Sequence, residues 1–402
     1  MFVNPLGNQS HNAPFSNPHI PVSLPNVMGP QPVKSSNDVP RFLNFLADYT
    51  GCGHWRMLWP EQVLNAYRQC VIQSSTVMIT DPKHYHDVGC IRVQRQASPS
   101  QKEFLKFLKD NTNARLVYEI DDICFSEDIP EWNPFRGAFT SHETRVNIQE
   151  MMELCDEMTV TCESMRQYFL NKTKQKNITV VPNYIPRMWV GGIYNKKEIS
   201  RSYDKHIKKP RILYAGSSSH FDINRKNNNK DDISHVVDYI VSSLDKYQWI
   251  FLGGIPPALE KYSNSGKIEL HPWTHLYDYP HKVKELQISA MIAPLEPNIF
   301  NRCKSDIKFL EAAACGVPII CQDICTYNNI CKNLFKTSED LSNQLGQLFS
   351  SKKNYMKIVE SNYSIVCKRW LENESNRNKF LEIYKHPYGS SERVELNKRN
   401  HS

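Results

Sequence analysis

The sequence lacks several features that would place it in a specialised class. Its twelve cysteines form no Cys-x-x-Cys pair, a spacing that favours reduced thiols over disulfides. No run of eighteen apolar residues occurs, and the start "MFVNPLGNQSHNAPFSNPH" has no apolar core beside a basic flank. These absences predict a protein that is neither exported nor membrane-spanning, and therefore cytoplasmic.

The composition is that of an ordinary globular protein. The chain has 402 residues, of which 40% are hydrophobic and 23% charged, enough for two compact domains with separate cores. Lys and Arg number 49 against 42 Asp and Glu, which gives a net charge of +7. Such a bias favours phosphate-rich partners without identifying one.

Short apolar segments alternate with helical patterns along most of the chain. Residues 1–37 are rich in Asn, Pro, Ser and Gly and predict a disordered leader. The predicted strands are, in chain order, "RFLNFLADY", "STVMIT", "GCIRVQR", "ARLVYEID", "EMTVT", "ITVVPN", "RILYAG", "QWIFLG", "KIELHP", "SAMIAPL" and "VPIICQ". The predicted helices are 60–71, 101–110, 143–155, one after "EMTVT", 231–245, 277–287, 304–315, 338–350, 352–370 and 375–385. This alternation predicts an α/β protein with parallel, doubly wound sheets.

A polar, Lys-rich stretch interrupts the alternation at 194–209 and predicts a hinge. The chain therefore divides into a Rossmann-like domain at 38–190, a second at 191–375, and a terminal helix with a tail at 376–402. Two such domains are expected to face each other across a cleft. Ligands of open parallel sheets bind beyond the carboxyl ends of strands, so functional residues are expected just after strands.

Cations gather in "FNRCKSDIKFLEAAACGVPII", after the predicted strand "SAMIAPL". Arg302, Lys304 and Lys308 precede or begin an apolar helix that carries Glu311. With Lys304 and Lys308 one helical turn apart, the cations suit a diphosphate and the carboxylate suits a ribose diol. The alternative is a helix with a solvated basic start and a structural glutamate.

A serine-rich turn follows the strand "RILYAG". Gly216, Ser217, Ser218, Ser219 and His220 lie in "YAGSSSHFD". Exposed backbone amides and hydroxyls at this place suit a phosphate, although an ordinary strand-to-loop turn has the same composition.

These segments resemble GT-B glycosyltransferases of the retaining type called family four. The run "APLEPNIFNRCKSDIKFLEAAACGVPIICQD" resembles their donor-binding segment, "YAGSSSHFD" their phosphate loop, and "VPNYI" their interdomain crossing. "GCGHWRMLWP" resembles a Gly-rich loop and "VYEIDDICF" an acidic signature of the group. The resemblance spans residues 41–385 and implies the GT-B fold, with acceptor binding at 38–190 and a nucleotide-sugar donor at 191–375.

The resemblance also implies residue roles. Many members have an acidic residue eight positions before the ribose-binding glutamate, where this chain has Cys303. The implied pyrophosphate ligands are Arg302, Lys304, Ser305 and Lys308, the implied ribose ligand is Glu311, and Lys304 and Lys308 are catalytic candidates through charge stabilisation. UDP is the default nucleotide, no tightly bound cofactor is expected, and no metal site is assigned.

The first domain supplies further candidates. Gly51 and Gly53 would let the backbone approach the sugar, and Arg56 would steady that loop or a phosphate. Asp121 and Asp122 are catalytic candidates on the acceptor side, with divalent-metal binding and structural capping as alternatives. Trp273 and Tyr277 are expected to form a packed aromatic cluster, although a nucleotide base could stack there.

The basic segments bear on the acceptor. "YNKKEISRSYDKHIKKPR", "INRKNNNK", Arg95, Lys102, Lys106 and Lys109 could form a groove for a phosphate backbone, or simply solvated helix faces. The chain is similar to bacteriophage glycosyltransferases that modify hydroxymethylated pyrimidines, which implies double-stranded DNA containing 5-hydroxymethylcytosine as partner, reached by base flipping. A surface polysaccharide or lipid-linked oligosaccharide is the alternative acceptor, and a non-catalytic binding module is a third possibility.

Overall fold

The computed structural model describes residues 39–223 and 230–385. The predicted leader, most of "INRKNNNK" and the predicted tail after residue 385 lie outside the described residues. The described helices include none that is both long enough and apolar enough to cross a membrane.

The chain forms two compact units. Of the described residues, the first comprises 39–125, 138–184 and 371–385, and the second comprises 126–137, 185–223 and 230–370. The chain therefore passes through the second unit at 126–137, enters it again after Tyr184, and has its last described helix in the first.

The first unit contains a parallel sheet of six strands. They are β1 (Arg41–Phe45), β2 (Val71–Ser75), β3 (Val88–Gln94), β4 (Arg115–Glu119), β5 (Glu157–Val160) and β6 (Ile178–Val180). Their order in the sheet is β2-β1-β3-β4-β5-β6. β1, β4 and β5 are buried along their whole length, as expected when helices cover both faces of a parallel sheet. The order changes direction between β1 and β3, so this unit has its topological switch point there.

Helices cover the sheet of the first unit. They are Gly51–Gly53, Trp59–Ala66, Pro99–Asn111, His142–Leu154, Glu163–Lys172 and Glu374–Lys385, with a π-helical turn at His54–Leu58. A capping box at Ser98 and Gln101 begins the third of these helices. The last helix packs its Tyr384 ring on Phe42 of β1, with ring centroids 4.8 Å apart.

The second unit contains another parallel sheet of six strands. They are β7 (Arg211–Gly216), β8 (Gln248–Gly253), β9 (Ile268–His271), β10 (Ala290–Ala293), β11 (Ile319–Gln322) and β12 (Leu334–Phe335). Their order is β12-β11-β10-β7-β8-β9. The switch point lies between β7 and β10, so the loops after these two strands are where a ligand is expected.

The helices of the second unit connect its parallel strands. They are Arg187–Val190, Lys196–His206, Val237–Ser242, Glu260–Asn264, Tyr279–Glu285, Ile299–Arg302, Ile307–Ala314, Cys325–Asn328, Ser338–Leu348 and Lys352–Lys368. Their apolar faces pack on buried side chains of the sheet such as Trp249, Phe251 and Ile292. The prediction of two doubly wound parallel sheets is confirmed.

Three local predictions are wrong. "STVMIT" is not a strand, because the strand is the preceding segment Val71–Ser75. The stretch predicted as a hinge contains the helix Lys196–His206, which Asn195 caps and whose Tyr203 is buried in the second core. The predicted Gly-rich loop is helical, because Gly51–Gly53 begins a continuous helical segment that buries Trp55, Met57 and Trp59.

Candidate functional site

The loop after β7 is closely packed. A Cβ on Gly216 would lie 2.8 Å from the Tyr214 hydroxyl, so only glycine fits without a shift. The Gly216 carbonyl accepts a hydrogen bond of 2.8 Å from the amide of Gly254. The Ser217 hydroxyl accepts a bond of 3.3 Å from the Ser219 amide. These contacts fix the turn that presents Ser217, Ser218, Ser219 and His220 beyond the strand.

His220 is held by a buried carboxylate that the sequence analysis missed. Its Nδ1 lies 2.7 Å from Oδ2 of Asp232, and their side chains are 13% and 0% exposed. Burial lowers the pKa of His220 to about 4; the positive charges of Lys308 and Lys304 act in the same direction, and the bond to Asp232 opposes them. The imidazole is therefore neutral at pH 7 in this structure.

Asp232 also joins the two loops at the switch point. Its Oδ1 accepts bonds from the amide of Glu296 at 3.0 Å and from Nδ2 of Asn301 at 2.5 Å. Glu296 and Asn301 follow β10, whereas His220 follows β7. One buried carboxylate thus ties together the loops between which a ligand of this sheet is expected.

The segment after β10 carries the predicted cations. Asn298 caps the short helix Ile299–Arg302. Arg302 is exposed, and Nζ of Lys304 lies 4.6 Å from the ring centroid of Phe300. Ser305 is half-buried. The next helix begins only at Ile307, so the prediction that Lys304 and Lys308 share one helical face is wrong.

Lys308 points back to the end of β7. Its ammonium donates a hydrogen bond to the carbonyl of Ala215 and lies 5.5 Å from the ring centroid of Tyr214. Burial lowers its pKa, and Lys304 adds to that effect while Glu311 opposes it. The structure therefore brings Lys308 to the end of β7, where the serine-rich loop begins.

Glu311 lies three residues further along the same helix, on the same side as Lys308. Burial raises the pKa of its carboxyl to about 7, although the charge of Lys308 acts against that shift. A carboxyl of this kind changes charge readily near neutral pH, so a polar ligand could stabilise its ionised form.

Two aromatic residues after β9 differ from the prediction. Trp273 is 58% exposed and Tyr277 is 40% exposed, so the predicted packed cluster is wrong. A Cβ on Gly253 would lie only 2.9 Å from atom Cε3 of Trp273. Gly253 has φ of +103°, and its missing side chain leaves room for Trp273 beside the β7 loop.

In the first unit, the glycines after β1 differ in their surroundings. A Cβ on Gly53 would lie 2.0 Å from the carbonyl oxygen of Asp48, whereas one on Gly51 would meet nothing within 4 Å. The Asp48 carboxylate accepts bonds from the amides of Thr50 at 2.8 Å and Gly53 at 3.2 Å. Asp48 therefore stabilises the start of this helix.

The predicted role of Arg56 as a phosphate ligand is wrong. Arg56 is fully buried, and its Nε lies 2.6 Å from Oε1 of Glu119. Its Nη1 donates to the carbonyl of Val181 at 2.7 Å and to Asn183 at 2.9 Å. The guanidinium is enclosed by protein groups, which leaves the alternative that Arg56 steadies the segment after β1.

Asp121 lies in a charged cluster at the carboxyl end of the first sheet. Nε of Arg95 is 3.6 Å from its carboxylate, and the same guanidinium pairs with Asp48. Burial raises the pKa of the Cys52 thiol well above its usual value, and the negative charge of Asp121 adds to this effect. The Asp122 carboxylate accepts a bond of 3.1 Å from the amide of Ile123. The described residues contain no group of three His, Cys, Asp or Glu side chains that could hold a metal ion.

The lysines proposed for a nucleic-acid groove are neutralised in part. Lys102 pairs with Glu150 at 2.9 Å, Lys106 with Glu103 at 2.8 Å, and Lys109 with Asp156 at 2.8 Å. Arg95 is the half-buried partner of Asp48 and Asp121. These side chains fit the alternative of helix faces with local ion pairs.

No protein-family model matches the chain, and no curated protein matches it by sequence. Among solved structures, HepE from Anabaena in complex with UDP is similar at a TM-score of 0.58 and 9% identity, covering 87% of this chain and 100% of HepE. HepE in complex with UDP-glucose gives a TM-score of 0.58 at 10% identity over 86% and 99% of the two chains. A variant of S. aureus TarM in complex with fondaparinux, α-GlcNAc-glycerol and UDP gives 0.50 at 12% identity over 73% and 55%.

These similarities and the two parallel sheets assign the GT-B fold to this chain. The fold is the one that the sequence resemblance implies.

Proposed function

We propose that this protein is a glycosyltransferase that moves a sugar from a UDP-sugar to an acceptor hydroxyl with retention of configuration. The observation that carries this proposal is the position of Lys308. Its ammonium is bonded to the end of β7, directly before the serine-rich loop, at the switch point of the second sheet, with Glu311 beside it. The similar fold of HepE, seen with UDP-glucose, supports the same donor class.

The donor diphosphate would bind between the loops after β7 and β10. The amides and hydroxyls of 217–219 would bind its oxygens, and Lys304 and Lys308 would balance its charge, with Arg302 and Ser305 at the outer side. The ammonium of Lys308 is bonded to a carbonyl, which does not neutralise it. Its charge would therefore stabilise the negative charge that develops on the departing diphosphate.

The nucleoside would extend toward β9. The Glu311 carboxylate would accept hydrogen bonds from the ribose diol, which favour its ionised form. The exposed ring of Trp273 would offer a stacking surface for the base.

The first unit would bind the acceptor. Asp121 is a candidate for contact with the acceptor hydroxyl, because its carboxylate follows β4 at the carboxyl end of the sheet. Asp122 is bonded to its neighbouring amide, which favours capping for that residue. Gly51 and Gly53 shape the segment after β1, and Gly51 is the one with open space beside it.

As acceptor we propose 5-hydroxymethylcytosine in duplex DNA. The support is the sequence resemblance to bacteriophage enzymes of this kind and the positive net charge of +7. The modified base would be flipped out so that its hydroxyl reaches the donor.

A glycan is the second candidate acceptor. The ion pairs of Lys102, Lys106 and Lys109 favour it, because paired lysines contribute less to binding a phosphate backbone. TarM, whose structure includes α-GlcNAc-glycerol, supports this class of acceptor on a related fold.

One assay separates these proposals. Duplex DNA with and without 5-hydroxymethylcytosine, and separately a panel of cell-surface glycans, is incubated with UDP-sugars, and the products are analysed by mass spectrometry. Sugar on the hydroxymethylated nucleoside alone is the expected result. Transfer only to a glycan would overturn the DNA acceptor, and the absence of both transfer and UDP-sugar binding would overturn the enzyme class.

A further inference from the structure

His220 lies at the proposed donor site, where a bound anion would influence the charge of its imidazole. Its Nδ1 is bonded to Asp232, and the other charged groups that influence it are Lys304 and Lys308. Asp232 favours the imidazolium, whereas burial and the two lysines oppose it. Burial is the largest of these effects, and the two cations that add to it are ones that the proposed donor site offers to an anion.

The tautomer of the neutral ring follows from this geometry. Because the Asp232 carboxylate can only accept, Nδ1 carries the proton and Nε2 carries a lone pair. A lone pair repels phosphate oxygens, so a neutral His220 is a poor diphosphate ligand. One additional proton on Nε2 would turn the same ring into a donor without moving it.

Asp232 is built to keep the ring in place during such a change. Its amide donates to the His220 carbonyl at 3.3 Å, and its Oδ1 is held by Glu296 and Asn301. The neighbouring Asp231 accepts bonds from the amides of Asp222 at 3.0 Å and Ser234 at 2.8 Å. The carboxylate is thus fixed before any ligand arrives.

We propose that His220 and Asp232 form a proton-accepting pair, in which His220 takes up a proton from solvent when a diphosphate binds and then donates Nε2–H to it. The entering anion offsets the repulsion from Lys304 and Lys308 and adds an attraction of its own. His220 would then be a further cation on the diphosphate, and Asp232 a positioning residue. This inference rests on the proposed donor site, and it adds a proton to the binding reaction.

The test is isothermal titration calorimetry with UDP-glucose at about pH 6 in buffers of different ionisation enthalpy. UDP-glucose is chosen because its diphosphate ester does not titrate near neutral pH, unlike the terminal phosphate of UDP. Glu311 also titrates near this pH, so the result that matters is the difference between the wild type and His220→Asn. We expect the wild type to take up about half a proton or more in excess of the variant.

Two variants complete the test. Asp232→Asn should reduce the excess uptake, and His281→Asn, at an exposed histidine of the same unit, should leave it unchanged. Thermal melting identifies any variant that fails to fold, and His220→Asn retains a group that can donate to Asp232. Equal proton uptake by the wild type and His220→Asn would overturn the pair but not the donor site. Failure of the folded wild type to bind either UDP-glucose or UDP would overturn the proposed function and this inference with it.

Discussion

The two sheets share an architecture, but the cationic side chains near their carboxyl ends have different kinds of partner. In the first unit, Arg56 and Arg92 each lie 2.6 Å from the carboxylate of Glu119, and all three side chains are fully buried. In the second unit, Lys308 is half-buried and bonded to a backbone carbonyl. The first arrangement offsets positive charge in part with a buried carboxylate, whereas the second leaves the ammonium on a neutral carbonyl, as suits the proposed donor site. The partners of a buried cation therefore help to distinguish a structural role from a proposed binding role.

The largest expected effect concerns the buried network of the first unit. Glu119→Gln leaves two guanidiniums without their counter-charge, and breaking buried pairs of this kind costs about 3–5 kcal/mol of folding free energy. Urea unfolding should show a correspondingly lower midpoint. The matched control is Glu103→Gln, which breaks the exposed pair with Lys106 and should leave the midpoint unchanged. If both variants unfold at the same urea concentration, the first-unit arginines are not structural in the way described.

The next effect concerns the retained charge of the second unit. Lys308→Ala should lower UDP-sugar affinity or turnover by about two orders of magnitude, the scale of one lost charge-stabilising group. The fold should survive, because the lost bond is to a carbonyl and the removed charge is costly to bury. Calorimetry and steady-state kinetics measure the loss, with Lys282→Ala as control because Lys282 pairs with Glu285 of its own helix. Unchanged kinetics in Lys308→Ala would contradict the proposal that the second unit holds the donor site.

The sequence allowed the sheets, and the placement of Lys308 and Glu311 on one helix, to be predicted, because both depend on local periodicity and spacing. Apolar strands alternating with helices indicate parallel sheets, and the three-residue spacing of Lys308 and Glu311 puts them on one side of a helix. Both kinds of signal lie within a few neighbouring residues.

The residues that were missed or misjudged depend on distant partners. Arg56 appeared to be a ligand because the Glu119 that encloses it is 63 positions away. Asp232 gave no signal because its role depends on Asn301, 69 positions away. The helix Lys196–His206 is a different case, because Ile199, Tyr203 and Ile207 recur every four positions and pack in the core of the second unit, a helical period that the many polar residues around them obscured. Tertiary burial decides the cases of Arg56 and Asp232, and local sequence does not encode it.

The smallest expected effect is on the pH dependence of stability, and it concerns two glutamates that have similarly raised pKa values but different surroundings. Burial raises the pKa of both Glu61 in the first unit and Glu311 in the second to about 7. Glu61 accepts a bond from the Ser74 hydroxyl, whereas Glu311 lies beside Lys308 at the proposed donor site. Because both values lie above the unfolded value of 4.5, the stability that each carboxyl contributes is complete below that value and is lost as the pH rises through 7.

Glu61→Gln and Glu311→Gln should therefore each be more stable than the wild type at about pH 8, by on the order of 1 kcal/mol, and lose that advantage at about pH 5. Denaturant unfolding at the two pH values measures this difference. Only Glu311→Gln should weaken UDP-sugar binding, because an amide is a poorer acceptor for the ribose diol than a carboxylate. A stability gain that does not change with pH would contradict the titration of these groups. Equal loss of UDP-sugar affinity in both variants would contradict the proposal that Glu311, and not Glu61, contacts the ribose of the donor.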